Sequence, residues 1–435
     1  NNILNPTVRL TLAGVFGVVL LGVGEWFVRR DRRIAAALNS AGVAVLFATL
    51  LAGVQYEKLI APSIGFVLMA IVAAAAVALS LRHGALVAVL GMIGGFATPM
   101  MVGPREQPPQ VLFGYLLLLD IGLIMVTRVR GWWWVTALPL LASYGWAGAW
   151  MLLRPDSDAG VYLGLFLVAS AAAFAFSLGR AQENIPHVWR IVLRSDGMVM
   201  GILIAAWLLR AQDYGNTQWM FLGILSLACI AQARLRIETT YLSWFGVLMC
   251  VAMLAAWRHD AVGPDAAMWF ALVCLIFGVV HVAVTYACMW RHTHAAAAAW
   301  AWLAGVAGVL YLLLAHGAEP GVPFERFWGA LCIALAGLYA LGGWGAVRMR
   351  QARAGLDAMA FTAATFVTLA VAIELEQQWV AVGYALVLAG IATVHLCLPL
   401  LSLRAAACIL TALIALRLLA DGAFDDYAIA ATPVW

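Results

Sequence analysis

Charge is what this chain has least of. Asp, Glu, Lys and Arg together make up 11% of its 435 residues and hydrophobic residues 65%, whereas an ordinary soluble domain carries about 25% charged and ~45–50% apolar residues. A water-soluble globule cannot cover that much apolar surface. No polar stretch is long enough to form a soluble domain of its own, so a single transmembrane domain over residues 1–435 is expected. Disulfide chemistry is missing as well. The seven cysteines (Cys229, Cys250, Cys274, Cys288, Cys332, Cys397, Cys408) lie inside or at the edge of apolar blocks, where they read as small packing residues. There is no charged n-region followed by a short apolar core and a small-residue cleavage site, so no signal peptide is read. The first residue is Asn1 rather than Met, and the chain is expected to be a fragment of a longer polypeptide.

Catalytic signatures are equally scarce. The chain contains no phosphate-binding loop, no nucleophile elbow and no HExxH, so no catalytic residue, cofactor or metal site is assigned and the reading leans away from an enzyme. Cys288, His292 and His294 are the one set that suggests metal ligands, and they lack a second pair at ligand spacing. The net charge of +4 is spread over loop after loop. It describes orientation in a membrane and gives no nucleic-acid surface.

What the chain does have is a rhythm of long apolar blocks. About sixteen spans (14–17) are predicted, at roughly 8–28, 34–54, 59–81, 84–102, 111–127, 132–153, 160–178, 191–209, 218–236, 238–257, 267–290, 295–316, 327–347, 355–373, 379–401 and 404–420. Lipid offers no partner for backbone N–H and C=O groups, and the runs lack the alternation of barrel strands, so each block must be an α-helix. The fold class is therefore all-α, a polytopic transmembrane helical bundle with short loops.

The loops fix a direction. Those after odd-numbered spans hold 17 of the 25 basic residues, from Arg29, Arg30, Arg32 and Arg33 through Arg82, Arg128 and Arg130 to Arg348, Arg350, Arg353 and Arg404. Loops after even-numbered spans hold 6 basic residues and 11 acids, among them Asp156, Asp158, Asp260, Asp265, Glu319, Glu325, Glu374 and Glu376. By the positive-inside rule the odd loops are cytoplasmic, which puts both termini of the chain outside. A miscounted span would invert this bias downstream, yet it keeps its sense to the end. Tryptophans at span ends, such as Trp134, Trp150, Trp219, Trp300 and Trp379, read as interfacial anchors. No sequence period divides the bundle into two equal repeats.

One stretch resembles a known family. Gly91-Met-Ile-Gly-Gly-Phe-Ala-Thr-Pro-Met100 contains a GGF-x-x-P segment, and a Tyr- and Leu-rich helix reaching Asp120 and the cluster Arg130-Gly-Trp-Trp-Trp134 follow it. With Pro6-Thr-Val-Arg9 and the basic run Arg29 to Arg33, this arrangement resembles the predicted bacterial membrane proteins catalogued as domain of unknown function 2339 (DUF2339). The likeness is clearest over residues 6–135. Where the family pattern places an acid after the Trp379 segment, this chain has Val387. The resemblance implies a multi-pass protein of the bacterial inner membrane whose relatives are often longer. It implies no activity.

A few polar residues inside spans are candidates for an ion or substrate site. Asp120 lies mid-span behind four leucines, where a carboxylate costs at least ~2.5 kcal/mol and must pair, protonate or face water. It is a proton or cation site, or else an interhelical hydrogen-bonding group. Glu25, at the end of the first span, either serves such a site or pairs with Arg29 to Arg33. Gly94, Gly95, Thr98 and Pro99 suggest a broken or re-entrant helix with carbonyls bared to a cavity, with a tightly packed kinked helix as the alternative. His281 and His395 fall inside spans, as proton relays or as bundle hydrogen bonds.

Three function classes fit these features. A transporter-like or lipid-handling permease with a polar site in the bundle requires a cavity that reaches that site. An envelope scaffold would tolerate Asp120→Asn. A membrane enzyme acting on lipid-linked substrates would need acids converging at one surface. The expected partners are membrane lipids and a small-molecule, ion or lipid substrate. Protein partners are left unspecified.

Overall fold

The computed structural model describes residues 5–102, 108–154, 159–177, 185–261, 264–291, 295–317, 327–348, 353–375 and 377–420. His292, His294, Arg350, Asp156, Asp158, Glu319, Glu325 and Glu376, as well as the side chain of Asp265, lie outside them. The described residues contain sixteen α-helices and no strand. They are α1 (Pro6–Phe27), α2 (Arg32–Leu51), α3 (Pro62–His83), α4 (Ala85–Val102), α5 (Pro109–Arg130), α6 (Ala137–Leu153), α7 (Gly160–Ala175), α8 (His187–Ala211), α9 (Asn216–Leu235), α10 (Thr240–Ala261), α11 (Pro264–Met289), α12 (Ala295–His316), α13 (Trp328–Arg348), α14 (Leu356–Glu374), α15 (Gln377–Cys397) and α16 (Leu401–Ala420). Each coincides with one expected span. Thirteen of them are long and apolar enough to cross a membrane.

Local sequence sets the helix ends. Pro6, Pro62 and Pro109 open α1, α3 and α5 at the first helical turn, where the missing N–H would have had no partner anyway. Asp31 caps α2, accepting from Arg33 N at 2.8 Å and Ile34 N at 3.4 Å. Gly131 ends α5 in the left-handed region (φ 72°), and Gly84 separates α3 from α4 at φ 110°. Both conformations strain any residue with a side chain.

The chain divides into two compact units, Asn1–Gln232 and Ala233–Trp435. In the first, α1 packs on α2, α3 on α4, and α7 on α8. The helices α4, α6 and α7 run 18, 17 and 16 residues, about 24–27 Å, and all three pack on α5. In the second unit α11 packs on α12 and α13 on α14, while α14 also carries α15 and α16.

Contacts between distant loop ends test the alternation directly. Glu25, ending α1, reaches His83, ending α3, and Trp133 before α6 stacks near Trp189 at the start of α8. Asp357 at the start of α14 bonds Ser402 at the start of α16. All six positions lie in or beside loops that follow odd-numbered helices. At the other end Gln55, after α2, donates to the Met101 carbonyl near the end of α4, and Glu374, ending α14, accepts from Gly329 N at the start of α13. Within each unit, odd ends meet odd ends and even meet even, as an up-and-down bundle requires.

The tryptophans divide into two groups. Trp134 and Trp379 are exposed, as anchors should be, whereas Trp150, Trp219 and Trp300 are buried. Trp150 lies edge-on to Phe113, 5.5 Å between centroids. The Arg154 guanidinium carbon also lies 4.4 Å from the centroid of the Trp150 ring.

Candidate functional site

Asp120 sits on α5 with 0% exposure, as do Ser143 of α6 and Ser170 of α7. Ser143 Oγ donates to Asp120 Oδ1 at 2.6 Å and Ser170 Oγ to Oδ2 at 3.3 Å, so each carboxyl oxygen has a hydroxyl partner. Beside them Tyr144 on α6 donates its hydroxyl to the Gly197 carbonyl of α8 at 2.8 Å. Four helices are thereby tied together by side chains that would be costly in hydrocarbon if left unpaired. The sequence identifies Asp120. Its serine partners carried one weak signal, a lone hydroxyl in an otherwise apolar run.

Of the two readings its composition allowed, the Gly-Pro segment follows the tightly packed helix rather than the broken one, and it continues past Pro99. α4 runs unbroken through Pro99 to Val102. Proline at 99 removes the donor that would have bonded the carbonyl four residues earlier, and Tyr115 of α5 replaces it, donating to Gly95 O at 2.8 Å. Trp146 Nε1 of α6 donates to Phe96 O at 2.9 Å, and Thr98 Oγ1 turns back to Gly94 O at 2.8 Å. Neighbouring helices thus satisfy carbonyls that a re-entrant segment would have bared to a cavity. The glycines serve close approach. A Cβ on Gly94 would stand 2.3 Å from the Phe47 ring of α2, and one on Gly95 would stand 2.9 Å from Leu119 of α5.

Glu25 pairs with partners other than those its position suggested. Its Oε1 lies 2.7 Å from His83 Nε2 and its Oε2 lies 3.7 Å from Arg82, because α1 and α3 end side by side. Arg30, from the expected cluster, lies instead over the Trp26 ring at 4.4 Å. The His83 side chain is enclosed at 1% exposure. Asn39 of α2, fully buried, brings its Nδ2 within 3.3 Å of His83 Nδ1. A tautomer in which Nε2 donates to Glu25 and Nδ1 accepts from Asn39 satisfies both contacts. Neither Asn39 nor His83 was singled out in the sequence.

In the second unit His281 of α11 stacks on Tyr311 of α12, its Nδ1 2.8 Å from the tyrosine hydroxyl. His395 lies at the end of α15, where its Nε2 accepts from Arg404 Nε at 3.0 Å. Among the described residues no hydrogen bond links Asp120, Glu25 and the Gly94 to Pro99 segment to one another. Glu25 pairs with His83 where α1 and α3 end, while α5 and α6 serve both of the others: Tyr115 and Trp146 bond Gly95 and Phe96 of α4, and Ser143 of α6 bonds Asp120 of α5.

Among the described residues, three cavities between helices stand out. One of about 480 Å³ is lined by α3 and α5, with Tyr115 at its wall. A second, of about 410 Å³, lies among α11, α12 and α13 and is lined by Tyr286, Tyr311 and Tyr339 with Leu and Val side chains. The largest of these three, about 920 Å³, runs across α14 between α13 and the α15–α16 pair. Its lining is almost wholly apolar, with Gly337, Gly343, Ala364 and Gly390 opening space among larger side chains such as Leu386 and Leu403. Asp120 lines none of these three cavities.

The sequence agrees over its whole length, residues 1–435, with the model of the family described as "Predicted membrane protein (DUF2339)". This chain belongs to the DUF2339 family. No curated protein and no solved structure matches it. For this DUF2339 member the family supports what the helices already indicate, a multi-pass membrane protein in contact with lipid.

Proposed function

We propose that this DUF2339 protein is a lipid-handling permease of the bacterial inner membrane, with its odd-numbered loops in the cytoplasm. One observation carries the reading, the groove of about 920 Å³ over α14. Its walls are almost wholly aliphatic, its volume suits acyl chains, and apolar membrane-length helices surround it. An ion or a polar solute would find no hydrogen-bonding partner along most of that lining, whereas a hydrocarbon chain finds contacts throughout. The ion-translocating form of the transporter reading draws less support, because Asp120 is enclosed and both its oxygens are occupied by serine hydroxyls.

The test is reconstitution into vesicles doped with a headgroup-labelled fluorescent phospholipid, read by the fraction that an impermeant reductant can bleach. Wild-type protein should raise that fraction above the half seen in protein-free vesicles. Gly390→Phe should reduce the effect severalfold, since a side chain at 390 points into open space within the groove. Bleaching indistinguishable from protein-free vesicles would contradict the reading.

A further inference from the structure

The groove over α14 has a charged end. Two of its lining residues, Trp344 and Val347, lead directly into Arg348 at the end of α13, and two others, Leu400 and Leu403, bracket the start of α16, where Arg404 follows. Both arginines are exposed. Arg348 is held against the groove wall, its guanidinium carbon 4.0 Å from the centroid of the Trp344 ring. Arg404 is oriented by its hydrogen bond to His395, the residue after the lining Val394. The nearby acid, Asp357, follows the lining Leu356. Its Oδ1 accepts from Ser402 N at 3.3 Å and from Ser402 Oγ at 2.9 Å, so it caps the start of α16.

We propose that this end of the groove selects phospholipids with a net negative headgroup, Arg348 and Arg404 gripping the phosphate while the acyl chains lie along Gly337, Ala364 and Gly390. Three features converge on that occupant. The groove's volume and apolar walls take hydrocarbon, its position at the end of two spans puts its mouth at headgroup depth, and guanidinium groups bind phosphate oxygens in pairs. Basic sites between helices on the cytoplasmic side are the usual form of recognition for anionic lipids. The inference rests on the lipid-handling reading above, and its experiment separates the two.

The full chain, purified in an uncharged detergent, is offered equimolar phosphatidylglycerol and phosphatidylcholine with identical acyl chains, and retained lipid is measured by native mass spectrometry. The wild type should retain phosphatidylglycerol over phosphatidylcholine by about tenfold. R348Q/R404Q should retain both about equally, because the arginines favour the phosphate whose charge no choline cation offsets. G390F should retain neither. A tenfold preference that survives in R348Q/R404Q overturns the headgroup assignment and leaves the groove reading intact. Wild-type retention of both lipids by G390F overturns the groove reading itself. If R348Q/R404Q does not fold, the single variants R348Q and R404Q decide the matter: each should lower the preference severalfold, and a tenfold preference kept by both would overturn the assignment.

Discussion

Pro99 and Tyr115 show how one residue's deficit is met by another's donor. The Tyr115 hydroxyl bonds the carbonyl that Pro99 leaves without an amide, so Tyr115→Phe should cost about 1 kcal/mol of stability. In a Pro99→Ala background the restored N–H serves Gly95 O, and the same substitution should cost close to nothing. Unfolding of the four proteins in bicelles measures the difference, and equal costs in both backgrounds would refute the pairing. Asp120 is tested the same way. An Asp120→Ala and Ser143→Ala cycle should give a coupling of about 0.5–1.7 kcal/mol, the range of hydrogen bonds between transmembrane helices. That Asp120 needs partners was legible from its place behind four leucines. Which hydroxyls supply them was not, because Ser143 and Ser170 come from helices whose rotation about their axes no local pattern fixes.

At the scale of the element, the sixteen helices were legible nearly to their ends. Length and hydropathy determine a membrane helix almost alone. The exception is instructive. Gly91, Gly94, Gly95 and Pro99 read either as a break or as a tightly packed kinked helix ending at Pro99; α4 is continuous past Pro99, because glycines permit α2, α3 and α5 to come close and supply contacts and donors. Gly94→Ala should therefore destabilise the protein by about 1–3 kcal/mol, its methyl overlapping the Phe47 ring. Pairing with Phe47→Leu should recover part of that loss in the same unfolding assay. A neutral Gly94→Ala would mean that α2 and α4 are less closely packed than described. Glu25 teaches a similar lesson. Sequence proximity pointed to Arg29 to Arg33, but ends of neighbouring helices are nearer in space than the next residues along a loop.

For the whole molecule, the arginine alternation predicts a topology. Lys58→Cys, after α2, should react with an impermeant maleimide on intact cells, while Arg130→Cys, at the end of α5, should react only once the membrane is permeabilised; both positions are exposed. The reverse pattern would invert the orientation and move the Arg348–Arg404 end to the outer leaflet. The grooves were not foreseeable from sequence at all. A cavity is the space that packing leaves, and Gly337, Ala364 and Gly390 look like ordinary small residues of apolar helices until α13, α14 and α15 are placed together. The most direct measurement of the central claim is a high-resolution map of the protein in a nanodisc containing phosphatidylglycerol. Elongated density should run along Gly337 and Gly390 and end in a headgroup between Arg348 and Arg404. An empty groove, or α13 collapsed onto α15 with no lipid between them, would contradict that claim.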